Sequence, residues 1–299
     1  MNETLNLDVA VMKATKPAPA IPYMGSKRRL SMRIYDAIVE HSGQYSGTFV
    51  DVFTGGFAMG AQFLQNGWQV IANDRNRYVI ALLEKVTGEG LPQDIAQRWV
   101  SRTEFEDVRD NPDKYDDWWV GYVLCGYSFG NNQKSYLFGR EVEPLKMLGH
   151  EVVTAPTVTG RRLALRKLIK ELSSPRFDLE QLQQLQQLER LERLEQLERL
   201  EQLQQLELLS VDYQNLRIPD GAIVYCDPPY IRTATYRESI DHDEFYKWVR
   251  NLAKRHRVYI SSYEAPDDFE VVAKYTHNST LSARANIKTV EKLFYLGDS

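Results

Sequence analysis

Residues 48–74 read TFVDVFTGGFAMGAQFLQNGWQVIAND, and this stretch decides the fold class. It opens with a run rich in β-forming residues, 48–53, followed by the pair Gly55-Gly56. A helical pattern covers residues 57–66, and a second apolar run, QVIA, ends at Asn73-Asp74. Strand, glycine turn, helix and strand in this order predict the opening of a doubly wound parallel sheet.

The same alternation extends outward on both sides of this stretch. Apolar residues at helical spacing predict a helix within residues 25–41 and another over residues 76–86. Late in the chain, residues 222–226 (AIVYC) lack polar alternation, as expected of a strand buried on both faces. We expect further elements as a helix marked by Phe245, Trp248, Val249 and Leu252, and as strands at residues 258–261, 271–275 and 292–296. The chain is therefore predicted to be α/β with a Rossmann-like sheet.

A low-complexity tract interrupts this pattern. Leucine recurs at every third position, and strong helix formers (Glu, Gln and Arg) fill the gaps; the leucines are Leu179, Leu182, Leu185, Leu188, Leu191, Leu194, Leu197, Leu200, Leu203 and Leu206. Three residues turn an α-helix by about 300°, so the leucines spiral around it and do not form a heptad stripe. We expect one long helix, with a kinked helix pair or a triplet solenoid as alternatives. The tract is either an insert of little function or an arm that binds a protein partner or self-associates.

The charge balance excludes a protein whose whole surface is basic. There are 37 Lys and Arg against 41 Asp and Glu, for a net charge of -4, which leaves local basic patches open. Residues 179–209 hold seven glutamates and three arginines, so they account for the entire net charge, and the rest of the chain is neutral.

The cysteine content and the length of the apolar runs indicate the cellular compartment. Cys125 and Cys226 are too few for a disulfide framework and give no CxxC zinc spacing, so we expect no metal site. The first 20 residues lack the pattern of a signal peptide, and no run approaches the roughly 18–20 apolar residues of a membrane helix. We expect a soluble protein in a reducing cytoplasm.

The strongest chemical signal is Asp227-Pro228-Pro229-Tyr230, directly after the apolar run at residues 222–226. Ligands bind at the carboxyl edge of such sheets. The prolines stiffen the loop and donate no hydrogen bond, so a carboxylate and a free carbonyl can together accept both hydrogens of an amino group. The tyrosine ring can stack on a planar base. The motif therefore predicts a device that holds an aromatic amine; the alternative is a proline-rich turn with a surface aspartate.

Three weaker signals precede it. Asp51-Val52-Phe53-Thr54-Gly55-Gly56 offers glycines for close backbone approach, although it lacks the GxGxxG spacing of a dinucleotide site. Asp74 ends the second predicted strand, where an acid meets ribose hydroxyls in Rossmann-like sheets, and capping of a helix that begins at Arg75 is the alternative. Tyr23-Met24-Gly25-Ser26-Lys27 supplies a ring, a glycine turn and a lysine, or only a helix start with Ser26 near the cap.

Taken together, these motifs and their order resemble the DNA adenine methyltransferases of the Dam type. The resemblance runs from Ile21 to the C-terminus apart from the leucine tract, and it includes Thr233, Tyr236 and residues 261–266 (SSYEAP). It implies S-adenosylmethionine as methyl donor, bound by Tyr23, Lys27, Asp51, Phe53, Gly55, Asp74 and Asp227. It also implies catalysis by Asp227, Pro228, Pro229 and Tyr230. The looser glycine turn and the leucine tract depart from the family pattern, and the first leaves the individual glycine roles open.

The resemblance also implies a mechanism and a domain plan. The enzyme would flip adenine out of double-stranded DNA, so that the amine, held by Asp227 and the Pro228 carbonyl, attacks the sulfonium methyl. We expect a flexible arm at residues 1–20, a catalytic domain at 21–98 and 210–299, a helical target-recognition region at 99–175, and a mostly helical leucine tract at 176–209 that points away from DNA. Predicted DNA-binding residues are Arg28, Asn131, Asn132, Lys134, Arg161 and Arg162.

Two other interpretations of the sequence remain open. One is a methyltransferase that acts on another planar amine, namely cytosine N4, an RNA base or a glutamine amide. The other is a catalytically silent nucleic-acid-binding scaffold that uses the leucine tract as its interaction arm. The aspartate of the Asp-Pro-Pro-Tyr motif and the order of the motifs favour adenine in DNA, in the cytoplasm and at the nucleoid.

Overall fold

A computed structural model of the chain describes residues 19–92, 94–95, 98–172, 194, 196–197, 200, 203–229, 240–278 and 288–297. Residues 1–18, most of the leucine tract, and the predicted site residues Tyr230, Thr233 and Tyr236 lie outside this description.

The described residues form a sheet of seven strands. In chain order these are β1 Thr48–Asp51, β2 Gln69–Asn73, β3 Leu206–Leu209, β4 Ile223–Cys226, β5 Arg257–Ser262, β6 Glu270–Asn278 and β7 Lys288–Leu296. Their order across the sheet is β3-β2-β1-β4-β5-β7-β6. The first five strands in this order are parallel, whereas β7 runs antiparallel to both β5 and β6. The predicted Rossmann-like α/β sheet is confirmed.

Some helices accompany the strands of the sheet, and others form an insertion. They are α1 Ser31–Ser42, α2 Ala58–Gln65, α3 Arg77–Thr87, α4 Arg102–Asp110, α5 Asp117–Gly126, α6 Glu143–Thr154, α7 Val158–Leu172 and α8 His242–Ala253. We call α4 to α7, which lie between α3 and β3 in the chain, the helical insertion. Short 3-10 turns occur at Lys27–Arg29, Pro112–Lys114 and Tyr213–Asn215. No helix among the described residues is long and apolar enough to cross a membrane.

Both faces of the central strands are buried, which explains their nearly continuous apolar sequence. In β1, Phe49 belongs to the core on one face and stacks on Phe63 of α2, with ring centroids 3.5 Å apart. The next residue, Val50, belongs to the core on the opposite face together with Val249 of α8. Alternate side chains of one strand therefore anchor helices on opposite sides of the sheet.

The helical insertion, α4 to α7, contacts the helices of the sheet through α5. This helix packs against α3, and the contact requires Gly121, because a Cβ there would collide with the carbonyl of Tyr78. Farther along, α6 and α7 pack against each other as a pair. The predicted helical character of residues 99–175 holds for α4 to α7.

The leucine tract departs from its prediction at its C-terminal end. Leu206–Leu209 is not helical but forms β3, an edge strand paired in parallel with β2. Leu194, Leu197 and Leu200 are buried in the core. Leu206 and Leu208 pack against the core on one face of the sheet and Leu209 packs against the core on the other face, and this tertiary packing outweighs the helix propensity of the tract. Residues 206–209, which the prediction assigned to the leucine tract, therefore belong to the sheet.

The boundary of the N-terminal arm also shifts. Ala20, which the prediction assigned to the flexible arm, is buried, and the Ile21 amide donates to the carbonyl of Gly56 at 3.0 Å. The packed chain therefore includes Ala20.

Candidate active site

Side chains from three parallel strands meet at the carboxyl edge of the sheet. Asp51 ends β1, Asp74 follows β2, and Asp227 follows β4. These residues line one cavity of about 480 Å³. The cavity walls also hold Tyr23, Lys27, Phe53, Gly55, Pro228 and Pro229, so the structure brings together every described residue predicted for donor binding and catalysis.

Lys27 is a deeply buried charged residue of this cavity. Its side chain is 5% exposed, and its Nζ lies 2.6 Å from Oδ2 of Asp227 and 3.3 Å from Oε1 of Glu291. A third contact runs from Nζ to the carbonyl oxygen of Gly25 at 3.1 Å. Burial opposes the charge, but attraction by Asp227 and Glu291 outweighs it and raises the pKa of Lys27. The lysine therefore remains a cation and does not act as a base at neutral pH.

Asp51 is the other deeply buried charged group of the edge. It is 1% exposed, and Thr54 Oγ1 donates to its Oδ2 at 2.9 Å. Burial raises the pKa of Asp51 to about 7, despite the opposing hydrogen bond from Thr54, and repulsion by Asp227 adds to the rise. Its Oδ1 is buried with no hydrogen-bond partner among the described residues.

The glycine turn after β1 resolves the roles that the sequence left open. Gly55 has φ 46°, and a Cβ there would come within 2.8 Å of the Tyr23 ring. A Cβ on Gly56 would come within 2.8 Å of the Ile21 carbonyl oxygen. Both glycines thus let the segment that carries Tyr23 and Lys27 lie directly against the turn.

Asp74 is held by backbone donors. Its Oδ2 accepts from the Gly55 amide and its Oδ1 from the Asn76 amide, each at 2.9 Å. The cap of α3 is Asn76, whose side chain accepts from the Tyr78 amide, so Asp74 does not cap a helix at Arg75. The carboxylate therefore stands at the cavity wall, fixed between two turns.

The sequence analysis missed Asp212, a further acid of the cavity. It lies just after β3 and lines the cavity together with Val211 and Tyr213. Asn73 fixes this loop: its side chain donates to the carbonyls of Val52 and Val211 and accepts from the Val211 amide. An acid at the end of a strand was the available signal, but the strand was hidden in the leucine tract.

The loop with Asn131, Asn132 and Lys134 lies at the same cavity, next to the start of α3. Asn76 Nδ2 donates to Oε1 of Gln133 at 3.0 Å. The backbone is left-handed at Gly130, Asn131 and Gln133. The structure thus places three residues predicted for DNA binding beside the predicted donor site.

The other residues predicted for DNA binding lie elsewhere. Arg28 is half-buried next to Lys27 and does not line the cavity. Arg161 and Arg162 are exposed on α7, outside the cavity. The three arginines therefore do not line the cavity that the loop shares with the end of the sheet.

The Asp227-Pro228-Pro229 segment is described up to Pro229. Among the described residues, none donates a hydrogen bond to the Pro228 carbonyl. Behind it, Tyr225 donates to Ser261 Oγ at 2.7 Å, and burial raises its pKa well above the usual range.

The chain matches one model of a known protein family. The family model described as D12 class N6 adenine-specific DNA methyltransferase matches residues 23–293. A search of curated proteins found no match. The family match covers the sheet, the cavity and the helical insertion.

Proposed function

Because the chain belongs to the D12 class N6 adenine-specific DNA methyltransferases, we propose that its cavity binds S-adenosylmethionine and presents adenine to it at Asp227. The chain is an enzyme that methylates the N6 position of adenine in DNA. The residue roles, the identity of the donor, and the handling of the duplex are proposals.

The chemistry of the cavity fits this donor. Its volume of about 480 Å³ lies in the range of ordinary ligand pockets. Asp74 and Asp212 supply acceptors for hydroxyl and amino groups, and Phe53 and Tyr213 supply aromatic surface. Asp51 lines the same cavity and is proposed as a further polar contact of the donor. Tyr23, Lys27 and Gly55 complete the proposed donor site.

The donor supplies an electrophilic methyl group on a positively charged sulfur, which leaves as a neutral thioether. Asp227 and the Pro228 carbonyl accept hydrogen bonds from the adenine amine and turn its lone pair toward the methyl group. When the new N–C bond forms, the S–C bond breaks, and N6 carries the positive charge while it still holds both of its protons, one of which must then leave. Asp227, already bonded to that nitrogen, is placed to accept the proton before it passes to water. Positioning supplies most of the rate, since well-oriented pairs reach effective molarities of about 10⁵–10⁸ M.

The duplex must open for this to happen. The adenine amine takes part in base pairing, so the enzyme extrudes the base from double-stranded DNA into the cavity. Pro228, Pro229 and Ile240 line the same cavity as Asp227. Tyr230, the proposed stacking partner of the base, lies outside the described residues.

Phosphate contacts are proposed for the exposed arginines of α7, Arg161 and Arg162, and for Arg28. Asn131, Asn132 and Lys134 are proposed to face the extruded base or the DNA backbone beside it, since their loop lines the cavity. The helical insertion would then read the target sequence while the sheet edge carries out the transfer.

One observation carries the proposal: Asp227 is fixed by Lys27 at 2.6 Å inside a cavity that also holds Asp51 and Asp74. The test is transfer of a labelled methyl group from S-adenosylmethionine to unmethylated plasmid DNA. For Asp227→Ala we expect turnover to fall by about 10²–10³-fold or more, with DNA affinity retained.

Asp220→Ala is the matched control, because Asp220 is exposed before β4 and pairs with Arg255 at the surface. Its turnover should match the wild type. Wild-type turnover of Asp227→Ala would refute the catalytic role. Absence of a calorimetric signal with S-adenosylmethionine would refute the donor assignment.

A further inference from the structure

Glu291 is a buried carboxylate that no sequence motif marks. It lies in β7, which is antiparallel to both of its neighbours, and it is 4% exposed. In the register of the sheet it stands opposite Tyr275 of β6. A carboxylate is rarely buried to this degree without a charged partner, so its position calls for one.

The partner is Lys27, and through it the proposed catalytic aspartate. Lys27 Nζ has three N–H bonds, and three acceptors surround it: Asp227 Oδ2 at 2.6 Å, the Gly25 carbonyl at 3.1 Å and Glu291 Oε1 at 3.3 Å. These acceptors come from the N-terminal segment, the β4 edge and β7. The ammonium group is therefore fixed in direction by three separate parts of the chain.

Three tyrosines pack around this cluster, and Asp51, which is repelled by Asp227, lies beside it. Tyr225, Tyr263 and Tyr275 come from elements packed around it, and each has a raised pKa with burial as the main cause. The three rings therefore stay protonated at neutral pH. Two carboxylates and one ammonium remain, so the cluster carries a net charge of about -1 when Asp227 and Glu291 are ionised.

We propose that Glu291 is a positioning residue: it holds Lys27 against Oδ2 of Asp227 and so fixes the rotation of the carboxylate that receives the adenine amine. The inference rests on the proposed function of Asp227. Glu291 also restores the negative charge that Lys27 alone would cancel. This matters because the positive charge passes from sulfur to N6 during transfer, and fixed negative charge close to that nitrogen favours the transition state.

The test separates the chemical step from binding. Single-turnover methyl transfer from S-adenosylmethionine to unmethylated plasmid DNA reports the chemical rate. For Glu291→Gln we expect that rate to fall about 10–100-fold, since small misplacements of a catalytic group cost this much. The KM for DNA and the calorimetric dissociation constant of the donor should change less than about twofold. Glu270→Gln, on the adjacent strand β6 with a side chain 66% exposed, is the matched control and should keep the wild-type rate.

A double-mutant cycle tests whether Glu291 acts through Lys27. In the Lys27→Met background, Glu291→Gln should cause no further loss of rate, because the ion pair that it supports is already gone. Independent, additive losses would overturn the proposal, and so would a wild-type rate in Glu291→Gln or a defect confined to KM. If Glu291→Gln does not fold, Glu291→Asp takes its place. A wild-type rate in Glu291→Asp, or losses that add to those of Lys27→Met, would likewise overturn the proposal.

Failure of this proposal is distinguishable from failure of the proposed function. Asp227→Ala is measured in the same assay. If Asp227→Ala is inactive and Glu291→Gln behaves as the wild type, only the positioning role of Glu291 is wrong.

Discussion

The sheet edge and the helical insertion hold their charged side chains in opposite ways. At the edge, Lys27, Asp227 and Glu291 form a buried ionic cluster, and Asp51 is buried beside it. On α7, Arg161 and Arg162 are exposed. Buried charges are fixed in place before the substrate arrives, which suits group transfer. Exposed charges attract phosphates over a long range without a fixed geometry.

The largest expected effect in this comparison is at Lys27, in the buried cluster. Lys27→Met leaves two carboxylates close together in the interior, and removing one partner of a buried ion pair costs about 3–5 kcal/mol. We expect a loss of that size in the unfolding free energy, measured by urea denaturation, together with a lower single-turnover rate that remains measurable. Lys247→Met is the control, since Lys247 pairs with Glu244 at the exposed surface of α8 and its removal should leave stability nearly unchanged. Equal stability of both variants would show that the buried cluster is not structurally important.

A second prediction concerns pH and Asp51. Its folded-state pKa of about 7 exceeds the ordinary value of 3.8, so between these pH values the folded protein holds one proton more than the unfolded chain. The unfolding free energy should therefore fall as pH rises from about 4 to about 7. Asp51→Asn removes this cost while its amide oxygen can still accept from Thr54. We expect the stability gain of Asp51→Asn over the wild type, measured without donor, to be larger at pH 8 than at pH 5. An equal difference at the two pH values would contradict the raised pKa.

The smallest effect is expected on α7. In Arg161→Ala/Arg162→Ala, DNA binding should weaken similarly for all sequences, and the slope of log affinity against log salt should fall by about 1 for each phosphate that an arginine no longer neutralises. Turnover at saturating DNA should persist. Fluorescence anisotropy over a salt series measures the slope. Arg250→Ala serves as the control, because Arg250 forms a two-pronged ion pair with Asp268 and should leave the slope unchanged. An unaltered slope in the double variant would remove these arginines from the DNA interface.

Much of the fold was accessible to sequence reasoning because its signals are local. The runs around Phe49, Val70 and Val224 are apolar on both faces, and each is followed by a polar turn, so strand and helix periods could be read directly. The acids Asp51, Asp74 and Asp227 were found because each one ends such a strand. The family resemblance drawn from these motifs was confirmed by the match over residues 23–293.

The features that the sequence analysis missed depend on contacts between distant parts of the chain. Leu206–Leu209 has helix-forming neighbours, yet it pairs with β2, because as a strand it packs leucines against the core on both faces of the sheet. Asp212 was missed because this strand was not recognised. Asn131 and Lys134 lie in a loop that borders the cavity, a position that its composition does not determine, and their DNA binding stays a prediction.

The sequence alone determined which chemical groups stand at the ends of the strands, because strand periodicity and turn residues act over a few positions. Only the tertiary structure decided which charges meet. Lys27 and Asp227 are separated by 200 residues, and Glu291 joins them from a strand that runs in the opposite direction. Such contacts depend on strand order and register across the whole sheet, and no local pattern encodes them.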